Sequence, residues 1–562
     1  MTRTSALVTD AETSNIEAVD VVVVGAGFSG LYALYRLRKL NLKVVCFEAG
    51  QGVGGTWYWN RYPGARVDIE SMQYSYSFDD DLQQDWRWPE YFSPQSDLEK
   101  YANHVVDRFG LRELIRFNAR VNRLRWDEVT ARWQVSTERG DQVSARYVVA
   151  ASGALDATNI PDFPGLDTFG GEWHHTSQWP KDKVSFEGKR VGVIGTGSTG
   201  IQATTDIGKS AGYLYVFQRT AAYSLPARNR PLPSDYEREW KENYAERRVL
   251  MRDNFALGFM SSQQYSSVFD YTPEERRKIL TEAWEQRNGL LFLRTFADTM
   301  LNLEANEIVS DFIRAKIREI VKDPRTAELL CPKTYPVGTK RICMDTGYFE
   351  TFNQLNVTLV DVRSNPISEI TPTGLRTTAG HYELDILVLA TGFDAVTGSL
   401  TRMNITGIGG SDLRERWTDG PSNFLGLMVA GFPNLFMIHG PGSPGVLAQM
   451  ITGGEWQVDW VASVIEDLDR NNYATIDTTQ DAELGWDAEM EGMAARTLYR
   501  YADSWYMGAN IPGKPRKFMI YIGGFDQYKR RCTEQVSKGY EGFVLTRGAR
   551  SSVKTAPTGG TP

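Results

Sequence analysis

Short, uninterrupted apolar runs alternate along this chain with stretches that carry a helical period. Val19–Val24, Val44–Phe47, Val191–Ile194, Leu214–Phe217 and Ile386–Leu389 are rich in β-branched and aromatic residues, and apart from Asp20 none carries a charge. Strands of that kind are covered on both sides, as in parallel sheets lying between helices. The pattern therefore predicts an α/β fold. Residues 226–330 differ in kind, being long, helical in period and dense in charge. Thr272-Pro273-Glu274-Glu275 is a capping box with Pro at the first helical position. Ile313, Ile317, Ile320 and Val321 then fall on one face of a helix. This segment reads as a helical insertion between two α/β pieces, a lid or filler rather than a site. Residues 1–18 and 547–562 are polar and aperiodic and read as disordered tails.

Composition narrows the class. At 562 residues the chain exceeds a single core. With 62 Lys+Arg against 70 Asp+Glu, its net charge of -8 supplies no basic face for nucleic acid or an anionic membrane. No apolar run approaches the roughly 18 residues of a membrane span, and the N-terminus lacks the apolar stretch of a signal peptide. A cytoplasmic protein is expected. Cys46, Cys331, Cys343 and Cys532 are scattered, which argues against a disulfide scaffold, a metal site and a dithiol centre. Nothing demands an assembly, so a monomer is expected.

The candidate chemistry begins at Val21. A buried strand runs into Gly25-x-Gly27-Phe28-Ser29-Gly30 and then a helix. The first glycine permits the tight turn, the second lets a pyrophosphate approach the backbone, and the third lets helix and strand pack closely. The helix N-terminus adds free N–H groups and a positive dipole end. Glu48 ends the next strand, where a carboxylate can accept both hydrogen bonds of an adenosine ribose. The fingerprint recurs as Gly195-Thr196-Gly197-Ser198-Thr199-Gly200, and there the following strand ends at Arg219-Thr220. An acid would repel a 2′-phosphate, whereas a guanidinium can grip one in bidentate fashion. The second site should thus take NADP and the first FAD. Two Rossmann-like dinucleotide-binding domains with a helical insertion follow as the fold. The runs at 147–153 and 385–392, each ending in a small-residue turn, fit places where the chain crosses between those domains.

Several flavin enzyme classes carry two such sites. The discriminating stretch is Phe169-x-Gly171-x-x-x-His175-x-x-x-Trp179-Pro180, just before the second fingerprint. It matches the signature of type I Baeyer–Villiger monooxygenases at every fixed position. Residues 19–546 resemble that family, and especially its phenylacetone, steroid and cyclohexanone members. The stretches at 54–71, 338–341, 390–398, 431–444 and 504–514 also carry the likeness.

The resemblance implies an enzyme in which NADPH reduces noncovalently bound FAD. The reduced flavin then captures O2 as an anionic C4a-peroxide that attacks a ketone, giving an ester or lactone. It implies Arg341 as the cation beside the flavin and Asp68 as the carboxylate that orients it. Lys340 would join Arg219 on the 2′-phosphate. Gly55, Thr56 and Trp57 would lie against the flavin, Tyr74 would contact the cofactor, and Trp505 would cap the site or the nicotinamide ribose. Gly445, Val446, Leu447 and Met450 would line the ketone pocket, with Gly445-Val446 standing where the phenylacetone-type loop carries Ser-Ala. Residues 255–261 look more like the cyclohexanone type. His175 reads as a domain-coupling residue on a linker, since this chemistry needs no histidine base.

The corresponding division of the chain is 19–158 and 386–546 for the FAD domain, 159–225 and 331–385 for the NADP domain, and 226–330 for the insertion. Two other functions remain open. One is a flavin monooxygenase acting mainly on sulfides or amines, against which the Trp-Pro ending argues. The other is a nonenzymatic FAD/NADP redox sensor, which would not need the Arg341 and Trp505 stretches. A disulfide reductase fails because no cysteine pair follows the first fingerprint.

Overall fold

The computed structural model describes residues 16–253, 255–260, 264–287 and 289–547. Of the expected tails, residues 1–15 and 548–562 lie outside the described residues, as does Ser261. The tail boundaries move outward at both ends: Glu17 and Ala18 open the first strand, and Arg547 closes the last one.

Two sheets organise the molecule. The first has eight strands, and its parallel part places Glu17–Val24 between Val44–Phe47 and Gln142–Ala150. Leu435–Met437 joins Gln142–Ala150 at its far end, so the chain returns to this sheet late in the sequence. The second sheet is wholly parallel, in the order Val357–Asp361, Tyr213–Gln218, Arg190–Ile194, Ile386–Leu389, Glu172–His175. Val44–Phe47, Val191–Ile194 and Ile386–Leu389 are fully buried, as strands covered on both faces must be, while Asp20 and Tyr215 in the other two runs are half-buried.

Two expectations are corrected here. Ile386–Leu389 was placed in the returning part of the first domain, yet it lies inside the second sheet between Arg190–Ile194 and Glu172–His175. The return follows Ala390–Gly392 instead. An apolar strand reads the same in either sheet, so its sequence cannot say which one it joins. The signature motif was read as a linker, but its Glu172–His175 portion is an edge strand of the second sheet. Its glycine has a steric reason: a Cβ on Gly171 would stand 2.7 Å from the Phe169 ring and 2.4 Å from the Asp385 carbonyl.

The segment 226–330 is helical, and its capping box forms. The Glu275 N–H donates to Thr272 Oγ1 at 3.3 Å, and the Thr272 N–H donates to Glu275 Oε2 at 2.8 Å. The helix Leu303–Ile320 buries Val309, Ile313 and Ile317 in the core of the second sheet, while Trp240, Tyr244 and Met251 join the core of the first. The insertion therefore ties the two sheets together. All four cysteines are buried and unpaired.

Candidate functional site

Both fingerprints open onto one cavity of about 1030 Å³. Its walls come from the C-terminal ends of both parallel sheets, the usual place for a ligand in an open α/β sheet. At the first fingerprint, Gly25 has φ 99° and begins the turn. A Cβ on Gly30 would sit 1.9 Å from the Gly25 carbonyl oxygen, so strand and helix touch backbone to backbone. Gly195 (φ 110°) and Gly200 (2.0 Å from the Gly195 oxygen) repeat this geometry. Gly30 and Gly200 stand behind the walls, while Gly25, Gly27, Phe28, Ser29, Gly195, Thr196, Gly197, Ser198 and Thr199 line the cavity. Neither helix has a side-chain cap, so its first-turn N–H groups are left for a ligand.

Glu48 is buried, and each of its oxygens already accepts a backbone N–H. Ala26 donates to Oε2 and Gly50 to Oε1, both at 2.7 Å. Burial raises its pKa, and the two amides only partly offset that. The carboxylate is thus fixed by the turn it faces, with a lone pair left on each oxygen for ribose hydroxyls. At the second fingerprint, Thr196 Oγ1 donates to the Thr220 carbonyl at 2.8 Å and tethers the strand end that carries Arg219. Arg219 and Lys340 both line the cavity. Burial lowers the Lys340 pKa, Asp503 opposes this, and nearby Arg219 lowers it further. Neither cation forms a salt bridge among the described residues. Two neighbouring cations, neither bonded to a carboxylate, fit a phosphate monoester.

Arg341 and Asp68 line the same cavity and meet there. Arg341 Nη2 and Nε donate to Asp68 Oδ2 at 2.7 and 3.1 Å, and Nη1 donates to the Val446 carbonyl at 2.6 Å. Burial works against the guanidinium charge, but Asp68 and the Tyr506 hydroxyl outweigh it, and the net shift is upward. The arginine stays a cation in a desolvated site. Its carriers are anchored from a distance. Asn306, on the helix Leu303–Ile320, exchanges hydrogen bonds of 2.9 Å with both backbone groups of Val337 and so sets the course into Lys340-Arg341. The Asp68 loop docks on the helix of the second fingerprint: Tyr62 OH donates to Gln202 Oε1 at 2.8 Å, and Gln202 Nε2 donates to the Arg66 carbonyl at 3.2 Å.

The remaining expected residues divide. Gly55, Thr56, Trp57, Tyr74 and Trp505 line the cavity, and Trp57 Nε1 donates to Tyr74 OH at 3.2 Å. Of the ketone-pocket loop, Val446 and Met450 line it with Ala448, whereas Gly445 and Leu447 do not. Gly445 (φ 45°) forms the bend that presents Val446, and Leu447 packs half-buried against the core. Phe169, Gly171, His175, Trp179 and Pro180 lie off the cavity. His175 is buried, with Nδ1 2.8 Å from Ser177 Oγ and Nε2 3.2 Å from Thr391 Oγ1. Thr391 Oγ1 in turn donates to the Asn159 carbonyl at 2.7 Å, so the histidine fastens both crossing segments. Sequence reasoning took Trp59 as packing only and missed Ile438 and His439 in the wall and Tyr506 beside Arg341. All four lie within stretches that carry the family likeness (54–71, 431–444 and 504–514), and those stretches were the signal that could have pointed to them.

A family model described as flavin-binding monooxygenase-like matches residues 18–237. The chain is 42% identical over 538 residues to cyclohexanone 1,2-monooxygenase of Acinetobacter sp, covering 95% of this chain and 98% of that protein. It is also 42% identical over 530 residues to phenazine N-monooxygenase PhzNO1 of Lysobacter antibioticus, covering 94% and 97%. Among solved structures, oxidized steroid monooxygenase bound to NADP superposes with a TM-score of 0.90 at 49% identity, over 95% of this chain and all of that one. OTEMO in complex with FAD and NADP gives a TM-score of 0.91 at 38% identity, again over 95% and 100%.

Proposed function

The chain belongs to the Baeyer–Villiger monooxygenases, and from that membership we propose that it uses NADPH, noncovalent FAD and O2 to insert one oxygen beside a ketone carbonyl. The observation that carries this reading is a single cavity lined by two dinucleotide fingerprints and by a half-buried, carboxylate-held arginine. The first sheet, with Glu48 and the Gly25–Gly30 turn, would hold FAD. The second, with Gly195–Gly200, Arg219 and Lys340, would hold NADPH.

FAD, reduced by NADPH, would supply the oxygen activation. The chain's own residues do the rest. Arg341 keeps a fixed positive charge where negative charge develops, which in a dry, preorganised site is worth several kcal/mol, roughly 3–4 for one such donor. Asp68 holds the Nε edge and the Val446 carbonyl holds Nη1, so the guanidinium needs no reorganisation. Trp57, Tyr74, Val446 and Met450 give that region apolar walls that exclude water and fit the hydrocarbon part of a ketone. Trp505 closes the nicotinamide side. His175 acts on the crossing segments, away from the reacting atoms.

The test is incubation of the purified chain with NADPH, air and a panel of ketones: phenylacetone, cyclohexanone, cyclododecanone and a steroid ketone. Gas chromatography–mass spectrometry should show a product heavier than its ketone by one oxygen. NADPH consumption that yields only hydrogen peroxide across the panel would count against ketones as substrates. A second reading, oxygenation of nitrogen, is favoured by the likeness to a phenazine N-monooxygenase. A phenazine arm in the same experiment separates the two, since an N-oxide without any ester would reverse their order.

A further inference from the structure

Tyr335 is buried in the cavity wall, and the Lys340 ammonium lies over its ring, 4.8 Å from the centroid. The chain between the two residues builds that contact. The Thr339 N–H donates to the Pro336 carbonyl at 3.3 Å and closes a turn, within which Gly338 has φ 86°, as the third position of a type II turn requires. The Thr339 hydroxyl donates to the same carbonyl at 2.6 Å. An added Cβ on Gly338 would lie 2.5 Å from Met300 Sδ, so the turn is pressed against the helical insertion. The backbone is thus folded to lay Lys340 back over the ring that precedes it.

The far end of the same side chain is tied to the segment that follows Arg219. The Tyr335 hydroxyl donates to the Ala221 carbonyl at 3.1 Å and accepts from the Tyr223 N–H at 3.3 Å. Burial raises its pKa, so the phenol stays protonated and able to donate. The Tyr223 ring packs edge-on against it, with centroids 5.4 Å apart. One side chain therefore touches both carriers of positive charge: its ring meets Lys340, and its hydroxyl holds the backbone just beyond Arg219.

An aromatic face suits this task better than a carboxylate. A carboxylate would place the ammonium but cancel its charge and repel an incoming phosphate. The ring attracts the cation through its quadrupole and leaves both the net charge and the N–H donors intact. It also favours the charged form of Lys340, whose pKa burial lowers. Asp503, whose charge acts on Lys340 without a salt bridge, is paired with Arg516 instead. We propose that Tyr335 is a positioning residue that sets the preference for NADPH over NADH, by fixing the Lys340 ammonium and the Arg219 segment at one spacing. This deepens, and rests on, the reading of those two cations as the grip on the 2′-phosphate.

The test is isothermal titration calorimetry of the FAD-loaded protein with NADP+ and with NAD+, which reads binding without turnover. Tyr335→Leu should weaken NADP+ by about 3- to 30-fold, the span of one cation–π contact, and leave NAD+ nearly unchanged. Tyr335→Phe keeps the ring and loses the bridge to Ala221, so its preference should fall between those of Tyr335→Leu and the wild type. In a Lys340→Ala background the Leu and Phe variants should bind NADP+ alike, because the ring then has no cation to place. If Tyr335→Leu does not fold, Tyr335→Met, which also lacks a ring, takes its place. Equal losses for NADP+ and NAD+ would make Tyr335 a support of the fold and overturn the inference. So would an unchanged preference in Tyr335→Leu, or a gap between Leu and Phe that persists without Lys340. Unchanged NADP+ binding in both Lys340→Ala and Arg219→Ala would instead overturn the 2′-phosphate assignment beneath it.

Discussion

Arg341 enters the cavity already held on both edges, by Asp68 at 2.7 Å and by the Val446 carbonyl at 2.6 Å. On the proposed reading its task is charge rather than proton transfer. Arg341→Ala should leave reduction of the flavin by NADPH within a few-fold of wild type and lower ester formation by about 10²–10³-fold. Stopped-flow absorbance reads the first step and product analysis the second, and retained oxygenation would refute the role. Arg219 should make a separable contribution, since on the proposed assignment it faces the part of the cofactor where NADPH and NADH differ. Removing a charge-assisted bond of about 1.5–3 kcal/mol should raise the KM for NADPH by roughly one to two orders of magnitude in Arg219→Ala, with little change for NADH. An equal loss for both nucleotides would mean that Arg219 does not read the 2′-phosphate. Arg219 was legible because it ends the strand that follows the second fingerprint, whereas Arg341 and Asp68 were legible only through the family resemblance of the stretches that carry them. The Val446 carbonyl was not, since a backbone acceptor carries no residue-type signal.

At the scale of elements, the second fingerprint separates two functions of glycine that its spacing alone cannot. Gly200 is needed by the fold: an added Cβ would lie 2.0 Å from the Gly195 oxygen, and backbone has to move. Gly197 lines the cavity with nothing within 4 Å of an added Cβ. Gly200→Ala should therefore cost about 1–3 kcal/mol and lower the melting temperature. Gly197→Ala should melt with the wild type and bind NADPH about tenfold or more weakly, because its methyl stands where a pyrophosphate approaches. Differential scanning fluorimetry and equilibrium binding distinguish the two, and matching behaviour of both variants would contradict the geometry. The strands themselves were legible from their apolar runs. Their membership was less so, as Ile386–Leu389 shows, because an apolar strand advertises burial on two faces and not which neighbour it takes. The insertion's contribution to the site was also hidden. Asn306 acts through the backbone of Val337, a partner 31 residues away in sequence, and such a pairing leaves no local pattern.

Across the whole molecule, the buried titratable groups set how stability follows pH. Glu455, on the helix Met450–Arg470, accepts hydrogen bonds from the Ser77 N–H at 2.8 Å and the Ser77 hydroxyl at 2.7 Å. Burial still raises its pKa from 4.5 to about 7. The folded chain therefore keeps this proton between those two values while the unfolded chain releases it, so stability falls as pH rises through the window. The gap corresponds to roughly 3 kcal/mol at most, fully present below the unfolded pKa and lost by neutrality. Asp477, raised to about 6 by burial, pulls in the same direction. His175 and His439, lowered to about 4 by burial, pull in the opposite one, because there the unfolded chain binds the extra protons. The net profile of the wild type is thus a partial cancellation and identifies no single group. A difference profile does. Glu455→Gln keeps an acceptor for the Ser77 N–H and removes the titration. Its stability relative to wild type should rise by up to about 3 kcal/mol between pH 5 and pH 7.5, measured by denaturant unfolding of the holoenzyme at several pH values. Parallel curves for the two proteins would mean that Glu455 is already ionised in the folded state, with the Ser77 bonds and nearby Arg248 outweighing its burial.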